Sequence, residues 1–133
     1  MRNALLAALV LVTCACGDYQ FGAPSPSPST GTVAGRVIAV PCKPVEQQGS
    51  TCAGRPVPGL ELAYVSGASI AGRAVTDSHG TYSVELKPGT YEVKVSSYMR
   101  VISGPLKLTI APGSSTVANY VLDSGIRVPV PQQ

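Results

Sequence analysis

Ser78 and His79 are neighbours in this chain, with Asp77 immediately before them. Serine, imidazole and carboxylate are the groups of acyl-transfer catalysis, where the ring takes the hydroxyl proton and an acidic group orients the ring. Their spacing argues against that use. Asp77-Ser78-His79-Gly80 reads as a tight turn, in which the Asp side chain accepts from amides two residues on and Gly80 takes a positive φ. Adjacent residues of such a turn do not align as nucleophile and base, and no Asp is placed to orient the ring. His79 is the single histidine of the chain, and in this setting it reads as solvated surface.

Two-carboxylate chemistry would have to draw on Glu61, Asp77, Glu85 and Glu92. Glu85 and Glu92 fall on outward strand positions among polar neighbours, so they too read as solvated. A hydrolytic zinc site needs at least two His and a carboxylate, and one His without a Cys-x-x-Cys spacing offers no such set. The expectation is therefore a chain with no catalytic residue, no metal and no cofactor.

The four cysteines sort by position. Met1-Arg2 and the apolar run 4–12 form a signal-peptide pattern too short to span a bilayer. Thr13-Cys14-Ala15-Cys16-Gly17, which follows, resembles a bacterial lipoprotein cleavage site. Cys16, preceded by Ala15, is the preferred lipidation site, and Cys14 is the second candidate. Acyl chains contribute about 0.8 kcal/mol per buried methylene, so two or more would tether the protein to a membrane through lipid alone. Cys42 and Cys52 would then be the thiols left in an oxidising compartment, where they are expected to pair as a disulfide.

Between the anchor and the first strand, alternating Pro and Ser over 23–31 makes a semi-rigid spacer of about 3 Å per residue. Beyond it, period-two alternation predicts seven strands, over 32–40, 59–65, 70–76, 81–86, 91–96, 106–110 and 116–122. Gly35 lets a ring or backbone approach the first strand, which reads as central, while the third reads as an edge. Residues 41–58 hold four of the twelve prolines and both of these cysteines, and read as a loop. Residues 97–104 read as an irregular crossing between sheets. Turns every 8 to 12 residues argue an all-β fold, a seven-stranded antiparallel Ig-like β-sandwich.

The segments Gly35-Arg36-Val37, Pro56-Val57-Pro58-Gly59, Thr76-Asp77-Ser78-His79-Gly80-Thr81-Tyr82 and Leu86-Lys87-Pro88-Gly89-Thr90-Tyr91 resemble the carboxypeptidase regulatory-like domain, a transthyretin-like sandwich. The resemblance implies an accessory, adhesion or scaffolding role and no peptidase activity. His79 departs from it, since that turn position is commonly Asp or another small polar residue. Asp123-Ser124-Gly125-Ile126-Arg127 further resembles the ending of small secreted bacterial proteins that carry this domain with a two-Cys insert. The organisation expected is signal peptide 1–15, linker 16–31, sandwich 32–123 and extended tail 124–133.

Some partners are disfavoured by charge. The net charge is +3, and removal of the segment containing Arg2 leaves nine basic against seven acidic residues. The basic residues are scattered singly, so nucleic acid has no electrostatic footprint here. The function expected is a non-catalytic binding, accessory or scaffolding module, with a glycan ligand as the alternative: Tyr64, Tyr98 and His79 are candidates for a sugar-stacking face, although the chain has no Trp. Tyr82, Tyr91 and Tyr120 read as core with hydroxyls at the rim. An envelope protein is the other candidate partner, through a sheet edge or the Pro-rich tail. Lys-to-Asn isopeptide chemistry, known in related surface folds, is not expected: Asn119 lies in the last strand, but the first strand offers Arg36 where a Lys would be wanted. The localisation expected is lipid-anchored to a bacterial cell membrane, with the domain on the extracellular or periplasmic side.

Overall fold

The computed structural model describes residues 29–43, 49 and 51–126. The lipidation candidates Cys14 and Cys16, the signal peptide and most of the Pro/Ser spacer lie outside them. Among the described residues no helix is long and apolar enough to cross a membrane.

The chain forms two packed sheets, organised around β1 (Gly31–Val40), the longest strand. β1 changes neighbours halfway along its length. Its first half lies between β5 (Thr81–Leu86), antiparallel, and β9 (Ser115–Val117), parallel. Its second half lies between β2 (Arg55–Pro56), antiparallel, and β10 (Tyr120–Asp123), parallel, with β7 (Arg100–Ser103) beyond β10. The other sheet runs β4 (Ser69–Val75), β3 (Glu61–Ser66), β6 (Gly89–Ser96), β8 (Lys107–Ile110), and all of its pairs are antiparallel.

All seven expected strands are present, and the sandwich is as expected. Three particulars differ. The sheet built on β1 is mixed rather than antiparallel, since β9 and β10 run alongside β1. The segment 97–104 contributes β7, and the Pro-rich loop contributes β2, so ten strand segments are found among the described residues. The last expected strand is broken at Ala118-Asn119 into β9 and β10.

That break has a local cause. Val33, Val37 and Ala39 point inward from β1 and are buried, and Gly35 is the fourth inward position of this series. A Cβ on Gly35 would collide with the Ala118 carbonyl and press on the Tyr82 ring. The missing side chain lets Ala118 come onto β1: Ala118 N donates to Ala34 O at 2.9 Å, and Tyr82 Oη donates to Ala118 O. Asn119 Oδ1 then accepts from Arg36 N at 2.9 Å. Ala34 O and Arg36 N, which face the gap, thus find partners, as a buried backbone requires.

The core follows the alternation. Leu62 and Tyr64 come from β3, Tyr82 and Leu86 from β5, Tyr91 and Val93 from β6, Leu108 and Ile110 from β8, and Tyr120 and Leu122 from β10. β4 is an edge, as expected, with Ile70 and Val75 exposed. Tyr91 Oη reaches Lys87 O and Tyr120 Oη reaches Pro105 O at the rim, each at 2.7 Å, whereas the hydroxyl of Tyr82 is fully inside.

At the carboxy-terminal side the contacts of the sandwich reach Ser124, one residue past the expected boundary. Ser124 is buried, its amide donates to Val40 O at 2.8 Å and its hydroxyl reaches Pro41 O. It therefore belongs to the sandwich rather than the tail. β1 likewise begins at Gly31, one residue earlier than expected.

Candidate functional site

The turn at residues 77–80 places the reactive residue types as follows. Asp77 Oδ1 accepts from His79 N at 2.8 Å and Thr81 N at 2.9 Å, and its Oδ2 accepts from the Thr81 hydroxyl. The Thr81 hydroxyl, then the Thr81 amide and that of His79, hold the Asp77 carboxyl below the ordinary aspartate range. Both carboxylate oxygens are thus occupied in closing the turn. Ser78 Oγ and His79 Nδ1 lie 3.2 Å apart and both residues are exposed, while the His79 carbonyl accepts from Arg36 Nε. Gly80, at φ 73°, packs its Cα against Val37 O and Val57 N where no side chain fits.

The other candidates are dispersed. Glu85 and Glu92 are exposed, and Glu61 faces Arg73 at 3.7 Å on the outer surface. Among the described residues no group of three or more His, Cys, Asp or Glu is disposed to hold a metal ion. Asn119 does stand beside Arg36, with its amide oxygen on the Arg36 backbone N–H.

Cys42 and Cys52 are joined as a disulfide, with Cα atoms 6.0 Å apart. The bond closes the loop between β1 and β2 and accepts the Gly54 amide on Cys52 Sγ. It holds the Pro-rich segment to the end of β1, where β2 pairs Arg55 with Ala39.

Beside β2 lies a groove of about 550 Å³. Residues 55–60 form one wall and residues 96–99 the other, and Ala39 also lines it. The first wall is fixed by Thr76, which the sequence did not single out. Thr76 is buried, donates its hydroxyl to Val57 O at 2.6 Å, and accepts from Leu60 N at 2.8 Å. Thr76 O also receives Gly59 N at 2.9 Å. One side chain therefore satisfies a backbone donor and an acceptor of a segment that two prolines keep from pairing as a regular strand.

The second wall is the connection from β6 to β7. Ser97 N donates to Val95 O at 3.1 Å, Met99 N donates to Ser97 Oγ at 3.0 Å, and Met99 packs against the core. Tyr98 stands between these anchors with its side chain 92% exposed.

Of the three residues expected on a sugar-stacking face, the structure brings none together. Tyr64 is wholly buried with its hydroxyl unpartnered, and burial pushes its phenol pKa up. It continues the inward series of Leu60 and Leu62, so its place was legible from period two alone. His79 belongs to the turn, and Tyr98 alone lies at the groove. Arg55 and Met99 complete that site, and the sequence signal for them was weak: Arg55-Pro56-Val57-Pro58 marks a proline-limited edge, and Ser96-Ser97-Tyr98 interrupts the strand alternation.

No protein-family model matches this chain, and no curated protein matches it. Among solved structures it is similar to the minor pilin GBS52 of the gram-positive pathogen Streptococcus agalactiae, at 18% identity and a TM-score of 0.48. The match covers 79% of this chain and 48% of that one, so the chain spans about half the length of the pilin chain.

Proposed function

We propose that this protein is a non-catalytic module of a bacterial cell envelope, anchored by lipid on Cys16, or on Cys14 as second candidate, and presenting a carboxypeptidase regulatory-like sandwich to its surroundings. The observation that carries this reading is polarity along β1. The spacer would join the domain at Gly31, while Ala39, at the other end of the strand, lines the groove. Eight residue steps at about 3.3 Å place the two roughly 26 Å apart. A domain held at its Gly31 end turns the groove, the disulfide loop and Tyr98 away from the membrane. That arrangement suits a binding face on a tether.

Metabolic labelling with a fatty acid tests the anchor. The native protein is expected to take up label and Cys16→Ser to lose it; absence of label in the native protein overturns the tether, and label retained by Cys16→Ser but lost from Cys14→Ser moves it to the second candidate.

A glycan ligand is the reading favoured for the groove itself. An aromatic ring held in solvent by bonded neighbours at the mouth of a cleft is the arrangement on which a sugar stacks its C–H face. Retention of the full chain on a polysaccharide panel, lost in Tyr98→Ala, is the expected outcome; no retention on any polysaccharide removes this reading and leaves an envelope protein as partner.

A further inference from the structure

The two walls of the groove carry different chemistry. On the 96–99 side stand Tyr98, Ser96 and Ser97. On the 55–60 side stands Arg55, the one charged residue of the lining among the described residues. Opposite residues of an antiparallel pair project from the same face of a sheet. Arg55 lies opposite Ala39, which lines the groove, so the arginine leaves the sheet on the side of the groove. Among the described residues no carboxylate lies within ion-pair distance of its guanidinium. Among the described residues the lining contains no acidic side chain, and Pro56 and Pro58 have no N–H to offer.

We propose that the groove binds a carboxylated sugar, a uronic-acid unit of an acidic polysaccharide, with the pyranose face on Tyr98 and the carboxylate on Arg55. The inference rests on the glycan reading of this site. A planar guanidinium matches a carboxylate through two parallel N–H···O bonds, while an aromatic face accepts the C–H side of the ring and the serine hydroxyls serve the sugar hydroxyls. The volume, about 550 Å³, falls within the range of small-ligand sites. Both walls are set before any ligand arrives, one by Thr76 and the other by the Ser97 and Met99 amides, so binding orders little backbone. A single cation cannot hold a nucleic-acid backbone, which needs a row of them.

The test uses the full chain in detergent with polygalacturonate, its carboxyl-reduced neutral counterpart and polyglutamate, compared by titration calorimetry. Polygalacturonate is expected to bind. Tyr98→Ala and Arg55→Gln are each expected to weaken it about tenfold while melting at the native temperature. Reduction of the polymer carboxyls is expected to cost the native protein about the same, and Arg55→Gln nothing further. Equal binding of both sugar polymers, with loss in Tyr98→Ala, overturns the carboxylate inference and leaves the glycan reading standing. No binding of either polymer overturns the uronic-acid inference, while the glycan reading falls only if the chain is also retained on no polysaccharide of the panel. Polyglutamate bound as tightly as polygalacturonate, and indifferent to Tyr98→Ala, reduces the site to charge attraction and also overturns the proposal.

Discussion

The turn at 77–80 and the loop at 96–99 are both short exposed connections, and they put their side chains to opposite uses. The turn holds the one histidine, a serine and an aspartate, yet its carboxylate is bonded three times within the turn and its backbone is locked to Arg36 and Val37. The loop holds two serines, a tyrosine and a methionine, residue types with no special reactivity. Its bonds stay in the backbone and in Ser97, and the Tyr98 ring is left in solvent. Chemical capability and availability are thus separate properties. A reactive side chain that closes a turn is structural, and an ordinary ring that closes nothing is free to meet a ligand.

The largest effect is expected where the approach to the turn meets the wall of the groove opposite Tyr98. Thr76 precedes the turn and supports the groove wall. Thr76→Val keeps the shape but strands the Leu60 amide and the Val57 carbonyl, at about 1 to 3 kcal/mol each. A loss of about 3 to 4 kcal/mol in urea denaturation is expected, together with faster hydrogen exchange at Leu60. Next in size is the disulfide. Cys42→Ser with Cys52→Ser reopens an eleven-residue loop and is expected to lower stability by about 2.8 kcal/mol on the chain-entropy scale, read by the same denaturation.

The turn itself is sharpened by pH. The folded-state pKa of Asp77 is depressed, so its contribution is full above the unfolded aspartate value, about 4, and is lost as pH falls through the lower folded value. Asp77→Asn is expected to melt below the native protein at pH 7, and the difference in melting temperature is expected to vanish towards pH 2. A difference that persists undiminished at acid pH would show the charge to be irrelevant. The smallest effect is expected at Tyr98. Tyr98→Ala is expected to change stability by no more than about 0.5 kcal/mol, because the ring supports nothing in the fold. A larger loss would mean that the loop depends on its tyrosine and would erase the contrast.

Period two and turn chemistry made much of this molecule legible. The strands, the edge position of β4, the central position of β1 and the close approach at Gly35 all follow from residue order. So did the pairing of Cys42 with Cys52. What stayed hidden depends on residues distant in the chain. Parallel pairing of β10 with β1 joins segments about 80 residues apart, and nothing local in Tyr120–Asp123 records strand direction. β2 and β7 are too short to show alternation. The groove brings together two connections 40 residues apart, and its support, Thr76, is distinguished only by where Val57 and Leu60 lie.

β1 also has a mechanical role. It runs from the Gly31 end to the groove without interruption, and it is hydrogen-bonded on both sides along this path, first by β5 and β9 and then by β2 and β10. A pull applied at Gly31 and resisted at the groove lies along the strand, so those bonds are loaded together in shear and cannot be opened one at a time. The parallel neighbours add to this, because β10 is not a hairpin partner that could peel away from β1 through a shared turn. The strand that organises the core is thus also the member that carries tension from one end of the domain to the other.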